Sequence, residues 1–185
     1  IDCDHPDVVT TAKMLAAGSG GDGSTARRCF EYVRDNICHS YDCRMNPVTL
    51  KASDVLAHRT GYCYAKSHLL AALLRANGVP AGLCYQRLFL EEFDAYCLHG
   101  LNAIYLPETG WYRVDARGNK EGVEAGFSPP EERLAYRADK RGEMTLPGIW
   151  AEPLKAVIDV LSKFDNYLDV RKNLPDIEPG MIPTP

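Results

Sequence analysis

The stretch from Cys63 to Gly78 constrains this chain more than any other. Leu69, Leu70, Ala72, Leu73, Leu74 and Ala76 leave it almost no polar face, so a helix formed here has to be enclosed by the rest of the fold. Gly78 stands where the glycine after a helix belongs, and Pro80 prevents continuation. Upstream, Arg59-Thr60-Gly61-Tyr62 reads as a loop with Thr60 or Gly61 at the N-cap place, which puts Cys63 in the first turn. Unpaired backbone N–H groups and the positive end of the helix dipole favour a thiolate there. A buried helix that presents a thiol at its tip suits catalysis. The plainer alternative is a small buried hydrophobe, the common fate of a free cysteine.

On either side of this helix the apolar period changes. Pro6 to Ala17 (Val8, Val9, Ala12, Leu15, Ala16) and Ala26 to Ile37 (Cys29, Phe30, Val33, Ile37) carry helical stripes, the second capped by Ser24 or Thr25. Gly18 to Gly23 reads as a flexible connector, and His39 to Pro47 as irregular or short extended chain. Ser53 caps a short helix from Asp54 to Ala57. After Pro80 come Ala81–Leu90, Leu98–Leu106 and Trp111–Arg117, aromatic or β-branched runs separated by turn residues. Pro129-Pro130 then opens an expected helix to Tyr136, another follows Pro153, and the tail from Pro175 is expected to be extended. Helices first and consecutive strands later give an α+β fold: N-terminal helices, and a central nucleophile helix packed on an antiparallel sheet. The 185 residues are expected to form a single domain, with its core at about 25–120 and a C-terminal helix and proline-rich tail at 150–185.

Two polar residues on the strand segments stand out. His99 opens one run, Asp115 lies near the end of the next, and Leu106-Pro107-Glu108-Thr109-Gly110 is the turn between them. A hairpin in which Ala103 faces Trp111 and Leu101 faces Arg113 sets His99 opposite Asp115, with Cβ atoms roughly 5 Å apart. A carboxylate there fixes the imidazole tautomer and stabilises imidazolium, leaving the other ring nitrogen for a thiol proton. A slip of one residue would send the pair to opposite faces. Separately, His99 reads as a satisfied core histidine and Asp115 as a turn cap; together with Cys63 they read as an acyl-transfer site.

The motifs also carry a family resemblance. Gly61-Tyr62-Cys63, Leu73-Leu74-Arg75-Ala76-Asn77-Gly78-Val79-Pro80-Ala81, His99-Gly100-Leu101-Asn102-Ala103-Ile104-Tyr105-Leu106 and Gly110-Trp111-Tyr112-Arg113-Val114-Asp115 resemble the transglutaminase-like superfamily, a papain-like fold group that includes microbial cysteine-protease homologues. The resemblance covers about residues 25–120. It implies Cys63 as nucleophile, His99 as general base then acid, and Asp115 as orienter. Leu101 stands where many relatives carry tryptophan, and the chain has no room for the extra β-domains of the large calcium-dependent enzymes, which argues against protein cross-linking. Tyr41 or Gln86 is a candidate second oxyanion donor beside the Cys63 N–H.

Other chemistry finds less support. Net charge is −4, giving no reason to expect a nucleic-acid or membrane partner. No apolar run approaches the roughly 20 residues of a membrane span, and no signal peptide is legible. Seven cysteines leave at least one unpaired, and a chain of this size needs no disulfide staples, so reduced thiols and a cytoplasmic location are expected. Cys38-His39 with Cys43, and Cys3 with His5, could ligate zinc, but no Cys-x-x-Cys pair exists; no metal and no cofactor are expected. His68 lies five residues along the helix from Cys63, roughly 140° round its axis, and cannot face the sulfur. Cys97 shares a strand face with His99 and is the rival nucleophile, without the helix tip. The expected activity is acyl transfer or hydrolysis at peptide or glutamine-type amides, with hydrolysis favoured. The alternatives are a peptide- or protein-binding module on the same fold and a redox-sensing thiol.

Overall fold

The computed structural model describes residues 1–185. In chain order it contains helices α1 (Pro6–Ala16) and α2 (Asp22–Asn36), strand β1 (Cys38–His39), the one-turn α3 (Ser40–Cys43), α4 (Ala52–His58), strand β2 (Thr60–Gly61) and α5 (Cys63–Ala76). Strands β3 (Ala81–Leu90), β4 (Ala95–Leu106), β5 (Gly110–Val114), β6 (Gly126–Ser128), β7 (Glu131–Arg133) and β8 (Met144–Thr145) follow, then helices α6 (Lys155–Lys163) and α7 (Tyr167–Lys172). The main sheet is antiparallel in the order β5-β4-β3-β8, and β1 pairs with β2 in parallel. This is the expected α+β arrangement.

Helix α5 is the pivot. Every residue from Cys63 to Leu74 is buried, and the helix packs against α1, α2, α4, β3 and β4. At its C-terminus Gly78 adopts φ +76°, and the N–H groups of Gly78 and Val79 return to the carbonyls of Arg75 and Leu74. Lys66, fully buried, aims its Nζ at the Ile37 and Arg34 carbonyls and ties α5 to the end of α2.

Several local expectations are corrected. The hairpin register is offset by two residues: Ala103 faces Arg113 and Tyr105 faces Trp111. Gly110, at φ +74°, lets the strands close over a three-residue loop, which draws the pairing two residues tighter. The stretch expected as a helix from Pro130 to Tyr136 is instead strand β7 and an irregular strap. Pairing with β6, and the hold of Glu132 on the Arg113 side chain at 2.8–3.0 Å, outweigh the helix propensity of Glu131-Glu132-Arg133-Leu134. Ser53 lies inside α4, whose first N–H groups are capped from a distance by the Asp2 carboxylate (2.9 Å to Ala52 N). The caps of α2 and α5 are Gly21 and Tyr62. The tail contains a short turn, Pro179–Met181, and is pinned where Leu98 N donates to the Pro175 carbonyl (2.7 Å) and Arg87 pairs with Asp176 (2.7 Å). No helix is long and apolar enough to cross a membrane.

Candidate functional site

Cys63 is the first residue of α5 and lies in a cleft of about 380 Å³, with only 7% of its surface exposed. No side chain caps the helix, so its leading N–H groups stay available beside the sulfur. Strand β4 passes directly across the helix tip. Its Gly100 N–H points at Cys63 Sγ, 3.4 Å away, and a Cβ on Gly100 would fall 3.1 Å from the Tyr64 Cα. The glycine is therefore what lets strand and helix approach this closely.

His99, one residue earlier on β4, lines the same cleft as Cys63, close enough for the sulfur to act on its imidazole. Its Nε2 is 2.7 Å from Asp115 Oδ2, which leaves Nδ1 for the sulfur. Asp115 is fully buried just past the end of β5. It also accepts from the N–H groups of Arg117 (3.1 Å) and Ala135 (3.2 Å). With the observed register it is a diagonal neighbour of His99. An offset of two preserves the face, so the side chains still meet.

The electrostatics follow from this arrangement. Burial by itself would make His99 a weak base, but the Asp115 carboxylate and the Cys63 sulfur outweigh it and raise the imidazole to about 10. For Asp115 burial pushes upward, and the His99 charge and hydrogen bond, with the two backbone donors, bring the carboxyl below its ordinary value. The pair is thus an imidazolium held by a carboxylate at neutral pH.

The other residues singled out from sequence divide clearly. His68 is buried on the far side of α5, with Nδ1 2.8 Å from the Leu50 carbonyl. Cys97 borders the cleft, but burial, then the nearby Cys63, push its thiol up to about 12. Gln86 is turned away: its Nε2 holds the Tyr136 carbonyl at 3.3 Å and it is not part of the cleft wall. Tyr41 does line the cleft, under the Arg171 guanidinium at 4.6 Å. No group of three or more His, Cys, Asp or Glu side chains is placed to hold a metal ion.

Three contributors were not read from the sequence. Gly100 carries no chemical side chain to draw notice. Tyr136 stands edge-on to the His99 ring (centroids 4.9 Å apart, 90°), carried there by the strap expected to be helix. His39, on β1, joins the cleft wall because β1 pairs with β2, setting His39 beside Gly61. In the sequence the Cys38-His39 pair stands out only as a possible zinc ligand, and Gly100 only as part of the motif around His99.

Comparison with solved structures finds the “Putative Cysteine Protease from Cytophaga hutchinsonii” at 21% identity and a TM-score of 0.50, over 62% of this chain and 38% of that one. It also finds the periplasmic domain of TgpA from Pseudomonas aeruginosa at 20% identity and a TM-score of 0.47, over 60% of this chain and 42% of that one. The first likeness is one of fold, and the chain spans only about two fifths of the length of either structure. No curated protein matches the sequence. The model of the transglutaminase-like superfamily (Transglut_core) matches residues 9–116, which takes in Cys63, His99 and Asp115. The match spans more than half of the residues, and the chain belongs to the transglutaminase-like superfamily.

Proposed function

We propose that the chain is a cysteine-dependent amidohydrolase or acyl transferase acting on peptide or glutamine-type amides, with Cys63, His99 and Asp115 as its catalytic residues. The observation that carries this reading is His99, bonded to the buried Asp115 carboxylate at 2.7 Å, in the same cleft as Cys63 at the tip of α5. The Cys63 sulfur attacks the amide carbonyl carbon, and the Cys63 N–H at the helix tip meets the developing oxyanion. The imidazolium of His99 gives its proton to the nitrogen as the C–N bond breaks, leaving a thioester and a neutral amine. Water then attacks the thioester, its proton passes to His99, and the acid leaves with the sulfur restored. Asp115 holds the ring orientation throughout. Hydrolysis is favoured over transfer because no dedicated amine site is evident beside the sulfur. The protease name of the Cytophaga hutchinsonii structure, which shares this fold, agrees with a peptide or protein substrate. The location we propose is the cytoplasm, on the grounds of the unpaired cysteines.

The test is to incubate the protein with a glutamine-containing peptide library, quench in acid and locate the adduct by mass spectrometry. An acyl group on Cys63 that is absent from His99→Ala supports the assignment. The binding-module reading wins if no adduct forms and Cys63→Ala binds the same peptides with unchanged affinity.

A further inference from the structure

His39 is a second histidine in the same cleft, and it too is backed by a carboxylate. Its side chain is 9% exposed, its ring packs edge-on against Tyr62 (5.3 Å), and Nδ1 is buried without a hydrogen-bond partner, 3.6 Å from Asp42 Oδ2. Its Nε2 has no protein partner either and is not buried, and His39 lines the cleft that holds Cys63 and His99. Asp42 is firmly ionised. Burial would raise its carboxyl, but Lys120 (2.9 Å) and Arg117 (2.7 Å) hold it below the ordinary range.

The facing groups decide which nitrogen carries the proton. Burial, then the Arg117 charge, keep the His39 ring neutral near pH 7, against the opposing pull of Asp42. In a neutral ring the N–H belongs on the nitrogen that faces a carboxylate, which is Nδ1. Nε2 then carries the lone pair. It cannot donate to an oxyanion; it can accept from an O–H or N–H donor.

We propose that His39 Nε2 binds the acyl acceptor, the water that attacks the Cys63 thioester, and aims it at the carbonyl carbon. The inference rests on the thioester reading above. The proton of the attacking group still goes to the neutral His99, which has given its own to the departed amine. His39 fixes where the nucleophile stands and takes no proton. Its removal therefore slows breakdown of the acyl-enzyme and spares its formation.

The experiment uses p-nitrophenyl butyrate, whose leaving group needs no protonation; here His99 becomes neutral by giving its proton to bulk water once Cys63 is acylated. The wild type is expected to release about one equivalent of p-nitrophenolate in a burst and then turn over slowly. His39→Phe keeps the aromatic packing on Tyr62 and should keep the burst rate within about twofold, while the steady rate falls by about tenfold or more. His39→Gln, with an amide oxygen near the place of Nε2, should recover most of that loss. Burst and turnover falling together, turnover unchanged in His39→Phe, or no rescue by His39→Gln would each overturn the proposal. Nitrogen-15 spectra of the wild-type imidazole give an arm that needs no variant to fold: an Nδ1–H tautomer is expected, and an Nε2–H tautomer overturns it. Ester hydrolysis without a burst, and undiminished in Cys63→Ala, would instead bring down the thioester reading itself.

Discussion

Asp115 reaches His99 across a diagonal of the β4–β5 hairpin, Oδ2 to Nε2 at 2.7 Å, from a position one residue beyond the end of β5. Leaving the strand there frees the carboxylate to collect the Arg117 and Ala135 N–H groups as well. It is held from three sides, and its orientation does not depend on the histidine.

Each Asp115 oxygen accepts from a backbone N–H, so the NH2 of Asp115→Asn must face one of those donors, and the variant should lose some stability together with the charge that stabilises imidazolium. An amide can also hold the wrong imidazole tautomer. We expect kcat/KM with an amide substrate to fall by about two to four orders of magnitude. Circular dichroism confirms the fold, and steady-state kinetics gives the loss; a decrease under threefold would remove Asp115 from the mechanism.

The raised His99 sets an alkaline limit on stability. Its value is about 10 in the fold against an ordinary 6.5, so the folded state binds the proton more tightly. That contribution is complete below about pH 6.5 and is lost as pH climbs through 10. The melting temperature should decline across this window, and His99→Gln, which does not titrate, should flatten the decline. Thermal unfolding of both proteins at intervals from pH 6 to 10 reads the effect.

At the acid end the sign reverses for His68. Burial lowers this imidazole to about 4, against a smaller upward pull from the Leu50 carbonyl. The unfolded chain takes up the proton first, so the contribution is present above about pH 6.5 and disappears as pH drops towards 4. His68→Asn, which can still donate to Leu50, should shrink the loss of stability between those limits. Urea unfolding at pH 7 and pH 4.5 compares the two slopes against pH.

Gly100 is where geometry and chemistry meet. An added methyl would press on the Tyr64 backbone at 3.1–3.2 Å, which cannot yield without shifting the start of α5. Gly100→Ala should cost about 1–3 kcal/mol of stability. It should also move Cys63 away from His99, so alkylation by iodoacetamide at pH 7 should slow by about tenfold. Denaturant titration and timed mass spectrometry measure the two; normal alkylation in a destabilised protein would show that the approach matters to packing alone.

The sequence carried the parts that depend on local pattern. An all-round apolar run bounded by Gly78 and Pro80 has only one way to be satisfied, as an enclosed helix, and Cys63 at its head follows from that. The period-two runs after Pro80 set the strands, and parity alone placed His99 and Asp115 on a common face even under the offset register. Tertiary structure decided whatever rests on contacts distant in the chain. Asp2, 50 residues away, caps α4 in place of Ser53; the Glu132–Arg113 pair holds the Pro130–Tyr136 segment out of helix and swings Tyr136 over His99; and a two-residue pairing of β1 with β2 brings His39 into the cleft. The local helix and cap preferences are worth only a few tenths to about 1 kcal/mol, small enough for distant partners to redirect them.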